Sequence, residues 1–257
     1  MPIEYQKEGH IAIFTINRPE VLNALSPEAL WEMNESLIDF REDKNLWVGI
    51  ITGAGEKAFC TGLDLRSAGS PEEGDGTERQ VMPQETFVRG LELWKPMIAA
   101  INGYAFGGGL EIALTCDIRI AVDTARLGLT EVTLGLTPGW GGTQRLPRLI
   151  QFSRAAEMMI MGKRVTAQEA LEIGLVNQVV PQSELMTTAK EWAGKICENA
   201  PLAVTGVKEA MIRGESMTLE EGLKLENEIA NKMMVSKDFA EGLKAFTEKR
   251  KPEYKGE

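Results

Sequence analysis

Histidine is almost missing from this 257-residue chain, which has only His10, and cysteine is scarce, with Cys60, Cys116 and Cys197 far apart. Triads of the Ser-His-Asp or Cys-His kind, histidine-rich zinc sites and facial triads all need an imidazole among other groups. His10, in EGHIAIF just ahead of a strand-like run, reads as a surface residue. An odd number of cysteines with no CxxC pair supports neither a disulfide framework nor a structural zinc site, and fits a reducing, cytoplasmic setting. Positive charge is in deficit, 28 Lys and Arg against 38 Asp and Glu for a net −10. That balance argues against broad binding to nucleic acid or anionic membranes, so any anionic ligand must be met by local cations. Apolar runs stop well short of the ~18 residues of a membrane span. The opening MPIEYQKEGH lacks the basic-then-apolar pattern of a signal or transit peptide.

What is present is ordinary globular composition, 43% hydrophobic and 26% charged, at a length suited to one core or one core with an appendage. Residues 11–17 read as a buried strand, and Ser26-Pro27 opens a helix with a capping residue followed by proline at its first position. Leu30, Met33, Leu37 and Phe40 give that helix its apolar face. WVGIIT (47–52) and PMIAAI (96–101) are further strands, so the chain opens as α/β. The polar stretch 67–86, rich in Gly, Pro and acids, reads as a functional or mobile loop. From about Gly141 the chain is expected to be mostly helical, with capping boxes at Thr166/Glu169 and Thr218/Glu221. Leu185, Ala189, Trp192 and Ile196 make one apolar stripe, and Phe239, Leu243 and Phe246 another. The last ~60 residues have too little core of their own and should pack on the main body or on another subunit.

Two glycine-rich segments compete as ligand sites. Gly53 to Ala58 is a GxGxxA directly after a strand, as in a dinucleotide fold, but Ala58 leads into extended FCTGLDL and no acid closes a second strand ~20 residues on. It is expected to be a tight turn. The segment Ile101–Asp117, INGYAFGGGLEIALTCD, is more informative. A strand runs into three glycines and then a short buried helix, leaving unshielded N–H groups suited to a developing oxyanion, unless the glycines only relieve crowding. Glu111 lies on that helix among apolar neighbours, where a carboxylate is costly unless paired, hydrogen-bonded or protonated; an acid favoured by the helix dipole is its simpler reading. Glu131, in LTEVTLGLTPGWGG, is a second acid before a glycine-rich turn. Two such carboxyls could supply one general base and one general acid, though spacing alone does not bring them together.

The segments KAFCTGLDL, KPMIAAINGYAFGGGLEIALTCDIRIA and LGLTEVTLGLTPGWGGTQRLPRLI, with the ending AFTEKRKPEYK, resemble the enoyl-CoA hydratase/isomerase (crotonase) superfamily from Asn17-Arg18-Pro19 to the C-terminus. The resemblance implies an α/β spiral of ββα units over residues 1–198 and a C-terminal helical trimerisation region over 199–257, assembled as a homotrimer or dimer of trimers. It implies an acyl-CoA thioester whose carbonyl is held by the N–H groups of Leu63 and Gly108. Leu63 stands where small residues are common, which narrows the acyl site but keeps the N–H. The residue matching Glu111 helps activate a water for attack on the β-carbon, and the one matching Glu131 exchanges the α-proton. No metal and no cofactor beyond the CoA of the substrate are implied.

The resemblance further places Val21, Leu22 and Ala24 along the CoA groove, with Thr61, Gly62, Asp64, Leu65, Tyr104, Gly107, Pro138 and Gly139 around the substrate. Arg18, Arg66 and the cluster Lys249-Arg250-Lys251 are the local cations for CoA phosphates, with Phe246 and Lys249 supplied by a neighbouring subunit; a solvated basic helix end is the alternative for that cluster. Trp140 either shapes the acyl pocket or simply packs. The leading expectation is hydration of a 2-enoyl-CoA to a 3-hydroxyacyl-CoA. An enoyl-CoA isomerase or a specialised dehydratase, carnitinyl-CoA-like, is the alternative. A non-catalytic acyl-CoA binder is disfavoured by the two glutamates, and an RNA binder by the net charge.

Overall fold

A computed structural model describes residues 1–66 and 86–257, so all but the last residue of the expected 67–86 loop lies outside the described residues. Strands β1 (Ile3–Glu8) and β2 (Ile11–Ile16) form an antiparallel hairpin turned by Gly9 at φ +56°. His10 is exposed there, stacked on Trp47 with ring centroids 3.6 Å apart, as a surface residue should be. Helix α1 (Pro27–Glu42) begins as its sequence predicts: Ser26 Oγ accepts the Ala29 N–H at 3.2 Å and Pro27 occupies the first turn. It buries Met33, Leu37 and Phe40, half-buries Leu30, and carries a buried amide, Asn34, on the same face.

The chain then alternates between two sheets. β3 (Val48–Gly53) joins the first and β4 (Ala58–Cys60) the second; β5 (Met97–Ile101) returns to the first and β6 (Tyr104–Phe106) to the second, followed by helix α2 (Gly108–Thr115). β7 (Ile118–Val122) and β8 (Arg126–Gly128) repeat the move. Each strand lies parallel to its counterpart one unit earlier, β3-β5-β7 and β4-β6-β8, so the units stack as a spiral. Both faces of the first sheet are covered, and β3 and β5 are accordingly buried at every position.

The corners between sheets stack too tightly for side chains. A Cβ on Gly53 would collide with the Ala58 carbonyl, and one on Gly103 with that of Lys57. Two buried amides staple these corners. Asn102 Oδ1 accepts the Gly53 N–H at 3.0 Å, while its Nδ2 donates to the Gly55 and Ala58 carbonyls at 2.8 and 3.1 Å. Asn23 Nδ2 donates to Ala54 O at 3.0 Å and Ala58 O at 2.7 Å. The GxGxxA segment is thus a stapled corner leading into β4, as expected.

Past Gly141 the chain is largely helical: α3 (Gly142–Leu149), α4 (Phe152–Ile160), α5 (Ala167–Glu172), α6 (Leu185–Cys197), α7 (Pro201–Gly214), α8 (Leu219–Met234) and α9 (Lys237–Glu248). Both capping boxes form, at Thr166/Glu169 and Thr218/Glu221. Two short strands interrupt the helices, β9 (Val165–Thr166) completing the second sheet and β10 (Gln178–Val180) the first. At two or three residues, neither is long enough to show a period of two in the sequence. α6 lies against β3, β5 and β7, burying Leu185 and Ala189 with Trp192 and Ile196 beside them. α7 and α8 pack together, with Gly206 facing Ile229, and Lys208 of α7 pairs with Asp117 at 2.8 Å. Residues 198 and 199 lie in the turn between α6 and α7. Among the described residues no helix is long and apolar enough to cross a membrane.

Replacing Asn102 with Leu removes the partner of the buried Gly53 N–H and of the Gly55 carbonyl; it should cost about 2–4 kcal/mol, read as a lower urea midpoint. An unchanged midpoint would show that the corners hold without the staple.

Candidate active site

The glycine cluster places a helix N-terminus against the corner after β4. Gly107 adopts φ 53°, ψ −129°, a conformation that side chains disfavour, and α2 starts at the next residue. The Gly108 N–H is among the first-turn amides that a helix cannot pair internally, and none of the backbone bonds linking the described elements uses it. Across from it, Leu25 pairs with the 62–64 segment. Its N–H donates to Gly62 O at 2.8 Å and its carbonyl accepts the Asp64 N–H at 2.9 Å. In such a bridge the intervening Leu63 N–H points away from Leu25. Gly62 and Gly108 abut, since a Cβ on Gly62 (φ +90°) would lie 2.9 Å from the Gly108 nitrogen. The two N–H groups nominated from the sequence therefore come from touching segments.

Glu111, one turn into α2, is 2% exposed. Its Oε1 accepts the Trp140 N–H at 2.8 Å and the Gly142 N–H at 2.7 Å. Burial pushes its carboxyl above the ordinary glutamate range, while those two N–H groups and the Arg145 guanidinium pull it back. Glu131 opens a single 3-10 turn, Glu131–Leu134, after β8. Both of its carboxylate oxygens are buried, and no other described residue gives either a hydrogen bond. A Cβ on Gly107 would sit 3.4 Å from Glu131 Oε1, so the carboxyl reaches the glycine cluster. Burial raises its pKa, its own backbone N–H pulls it back in part, and the Glu111 charge adds to the rise. A buried carboxylate without donors is expensive and is normally satisfied by a proton, a water or a ligand. One carboxyl fixed by two donors, one with no hydrogen bond from another described residue, and two N–H groups that no described backbone bond uses can together move a proton beside a developing oxyanion.

Trp140 packs against the same helix start: a Cβ on Gly108 would lie 2.6 Å from its ring. Its ring also borders an apolar pocket walled by Leu25, Met33, Leu37, Phe87 and Ile112. Asn34 Oδ1 lies buried in that pocket without a partner. Pro138 is buried and Gly139 exposed in the turn that carries Trp140.

Segments 18–25 and 61–66 run together beside Gly62. Arg18 donates from Nη2 to Asp64 Oδ2 at 2.9 Å and from Nη1 to the Ala24 carbonyl, so its charge is already engaged by a carboxylate. Thr61 Oγ1 donates to Leu22 O at 3.2 Å. Val21 ends a 3-10 turn, Leu22 adopts φ 54°, and Leu63, Leu65 and Arg66 are exposed. Tyr104 is exposed and stacks on Phe106 with centroids 5.3 Å apart. Phe246 and Lys249 lie at the end of α9, and among the described residues no hydrogen bond or ion pair joins them to this site. In the basic cluster around Lys249, Arg250 is held by Glu241 and Glu248.

Sequence reasoning missed the partners of Glu111, because the Trp140 and Gly142 N–H groups belong to the backbone and carry no residue signature. It also passed over Arg145 and Asn34. An Asn within the apolar stripe of α1 was the one available signal. Among the described residues no group of three or more His, Cys, Asp or Glu could hold a metal ion. Burial pushes the Cys60 and Cys116 thiols up to about 12, which keeps both from nucleophilic use.

The sequence model of the enoyl-CoA hydratase/isomerase family matches residues 6–257. The chain is 45% identical to the short-chain-enoyl-CoA hydratase of Clostridium acetobutylicum, over 96% of this chain and 95% of that protein. It is 42% identical to the (E)-benzylidenesuccinyl-CoA hydratase of Thauera aromatica, over the whole of both. Among solved structures, an enoyl-CoA hydratase from Bacillus anthracis matches over 100% of both chains with a TM-score of 0.93 and 46% identity. With its spiral of paired strands and glycine-lined pair of carboxyls, this chain belongs to the enoyl-CoA hydratase/isomerase family.

Proposed function

We propose that the protein is a 2-enoyl-CoA hydratase, adding water reversibly across the 2,3 double bond of an acyl-CoA thioester to give a 3-hydroxyacyl-CoA. The observation that carries this reading is the unpartnered Glu131 carboxyl beside Gly107, in the field of a Glu111 fixed by two N–H donors. The thioester oxygen accepts from the Leu63 and Gly108 N–H groups. Conjugation carries negative charge to that oxygen as the β-carbon is attacked, so fixed donors stabilise the transition state more than the ground state. A water held between the carboxyls loses a proton to Glu111 as its oxygen bonds to the β-carbon. The α-carbon takes a proton from Glu131, and the two carboxyls then re-equilibrate. Overall the substrate gains H and OH, with no change of redox state and no electron carrier needed.

The end of the acyl chain meets the apolar wall formed by Trp140, Phe87 and Ile112. With Arg18 engaged by Asp64 and Arg250 by Glu241, the exposed Arg66, Lys249 and Lys251 are the better phosphate contacts. Lys249 and Phe246 reach the groove from a neighbouring subunit of a homotrimer or dimer of trimers. Support for that assembly is the exposed apolar face of the last helices, where Leu219, Leu243 and Phe246 are 80%, 54% and 86% exposed in the single chain.

Loss of enoyl-thioester absorbance with crotonyl-CoA tests the activity, and Glu111→Gln or Glu131→Gln should each lower kcat by about 10²–10⁴. Undiminished hydration by either variant would overturn the assignment of roles. Since burial raises the Glu111 pKa and the base must be ionised, kcat should fall on acidification from a midpoint above the ordinary glutamate range. Gly108→Ala sets a methyl group against the Trp140 ring and should lower kcat by about 10–100-fold through the displaced N–H. Sedimentation should give three or six copies; a monomer would remove the neighbouring-subunit contacts.

A further inference from the structure

The turn that grips Glu111 is itself gripped from behind by one side chain. Arg145, near the start of α3, donates from Nη1 to the Trp140 carbonyl at 2.8 Å and from Nη2 to the Val88 carbonyl at 2.9 Å. The geometry of residues 139–142 gives these bonds their meaning. Two peptide groups present N–H to Glu111 Oε1, those of Trp140 and Gly142, and the peptide group between them presents its carbonyl, Trp140 O, to Arg145. Fixing that middle carbonyl restrains the backbone torsions on either side of it, which orient the two N–H groups.

Gly141 is shaped around the same guanidinium. It adopts φ +104°, and a Cβ there would collide with Arg145 Nη1. The glycine thus permits the left-handed backbone and leaves the space that the side chain fills. The second anchor, Val88, is next to Phe87, which with Trp140 walls the apolar pocket, so one planar fork joins the Glu111 turn to the pocket wall. Among the described residues no ion pair within 4.0 Å engages Arg145, and its favourable charge partner is Glu111. Among the described residues, the charged groups that act on Glu111 are Arg145 from α3 and Glu131 from the 3-10 turn. Arg89 touches the outside of the turn, with Nη2 3.5 Å from Gly139 O.

We propose that Arg145 is the positioning residue of this site: acting through Glu111, it holds the 139–142 turn with two N–H groups on the carboxylate and keeps a positive charge behind it. The proposal rests on the reading of Glu111 as the base in hydration. It is tested with crotonyl-CoA, comparing wild type, Arg145→Met, Arg145→Lys and Gly141→Ala for kcat, KM and the pH dependence of kcat, with thermal unfolding of each. Arg145→Met should lower kcat by about 10–100-fold, the scale of a small misplacement of a catalytic group, with KM within about twofold. Its acid limb should move to higher pH, because loss of the cation makes the Glu111 carboxylate harder to form. Arg145→Lys keeps the charge but cannot fork to two carbonyls, so it should restore the acid limb and recover only part of kcat.

Gly141→Ala, which keeps the cation but pushes its guanidinium off the turn, should lower kcat with an acid limb near that of wild type, as Arg145→Lys does, and carries the test of positioning if Arg145→Met unfolds. Arg145→Met with wild-type kcat and acid limb would overturn the proposal, as would a loss confined to KM. Wild type inactive on crotonyl-CoA and longer 2-enoyl-CoAs would overturn the hydratase reading and this proposal with it, and is distinct from an active wild type with an indifferent Arg145.

Discussion

The Glu111 carboxylate sits in the buried start of α2 and is met there by two backbone N–H groups of the 139–142 turn. An acid group placed among apolar residues loses its hydration, and only donors delivered at the right points repay that loss. The donors must come from a turn whose carbonyls face away, which is why glycine at 141 and 142 and the Arg145 fork belong to the same arrangement. Gly142 has its own reason to lack a side chain, since a Cβ would lie 2.8 Å from Leu129 Cδ1 and 3.0 Å from Glu111 Oε1.

The second constraint is close packing between successive turns of the spiral. Gly53, Gly103 and Gly109 each face a backbone carbonyl of a neighbouring segment, so the units stack backbone on backbone. That proximity brings the 61–64 segment against the start of α2 and lets two N–H groups from chain positions 45 residues apart, Leu63 and Gly108, border one place. The corners that set this spacing are held by the buried amides Asn23 and Asn102, so stability of the fold and alignment of the site share the same hydrogen bonds.

Much of this was legible in advance where the signal is local. The capped start of α1, both capping boxes, the central strands and the glycine-to-helix transition at 107–108 follow from neighbouring residues alone, and all appear. β9 and β10 were not legible, because strands of two and three residues exist through pairing with β8 and β7 rather than through any pattern of their own. Arg18 shows the same limit from another side. As a sequence feature it is a free cation, and folding sets Asp64, 46 positions later, against it.

The sequence by itself determined the family resemblance and the candidates it points to: two glutamates each next to a glycine-rich segment, in a chain with almost no histidine, scarce cysteine and an acidic balance. Tertiary structure decided how the two carboxyls differ. Glu111 receives two N–H donors and a guanidinium behind them, while Glu131 is enclosed with no hydrogen bond from another described residue and feels the Glu111 charge. The physical reason is that a carboxyl's proton affinity depends on what surrounds it within a few ångströms, and those neighbours are brought in from distant parts of the chain by folding.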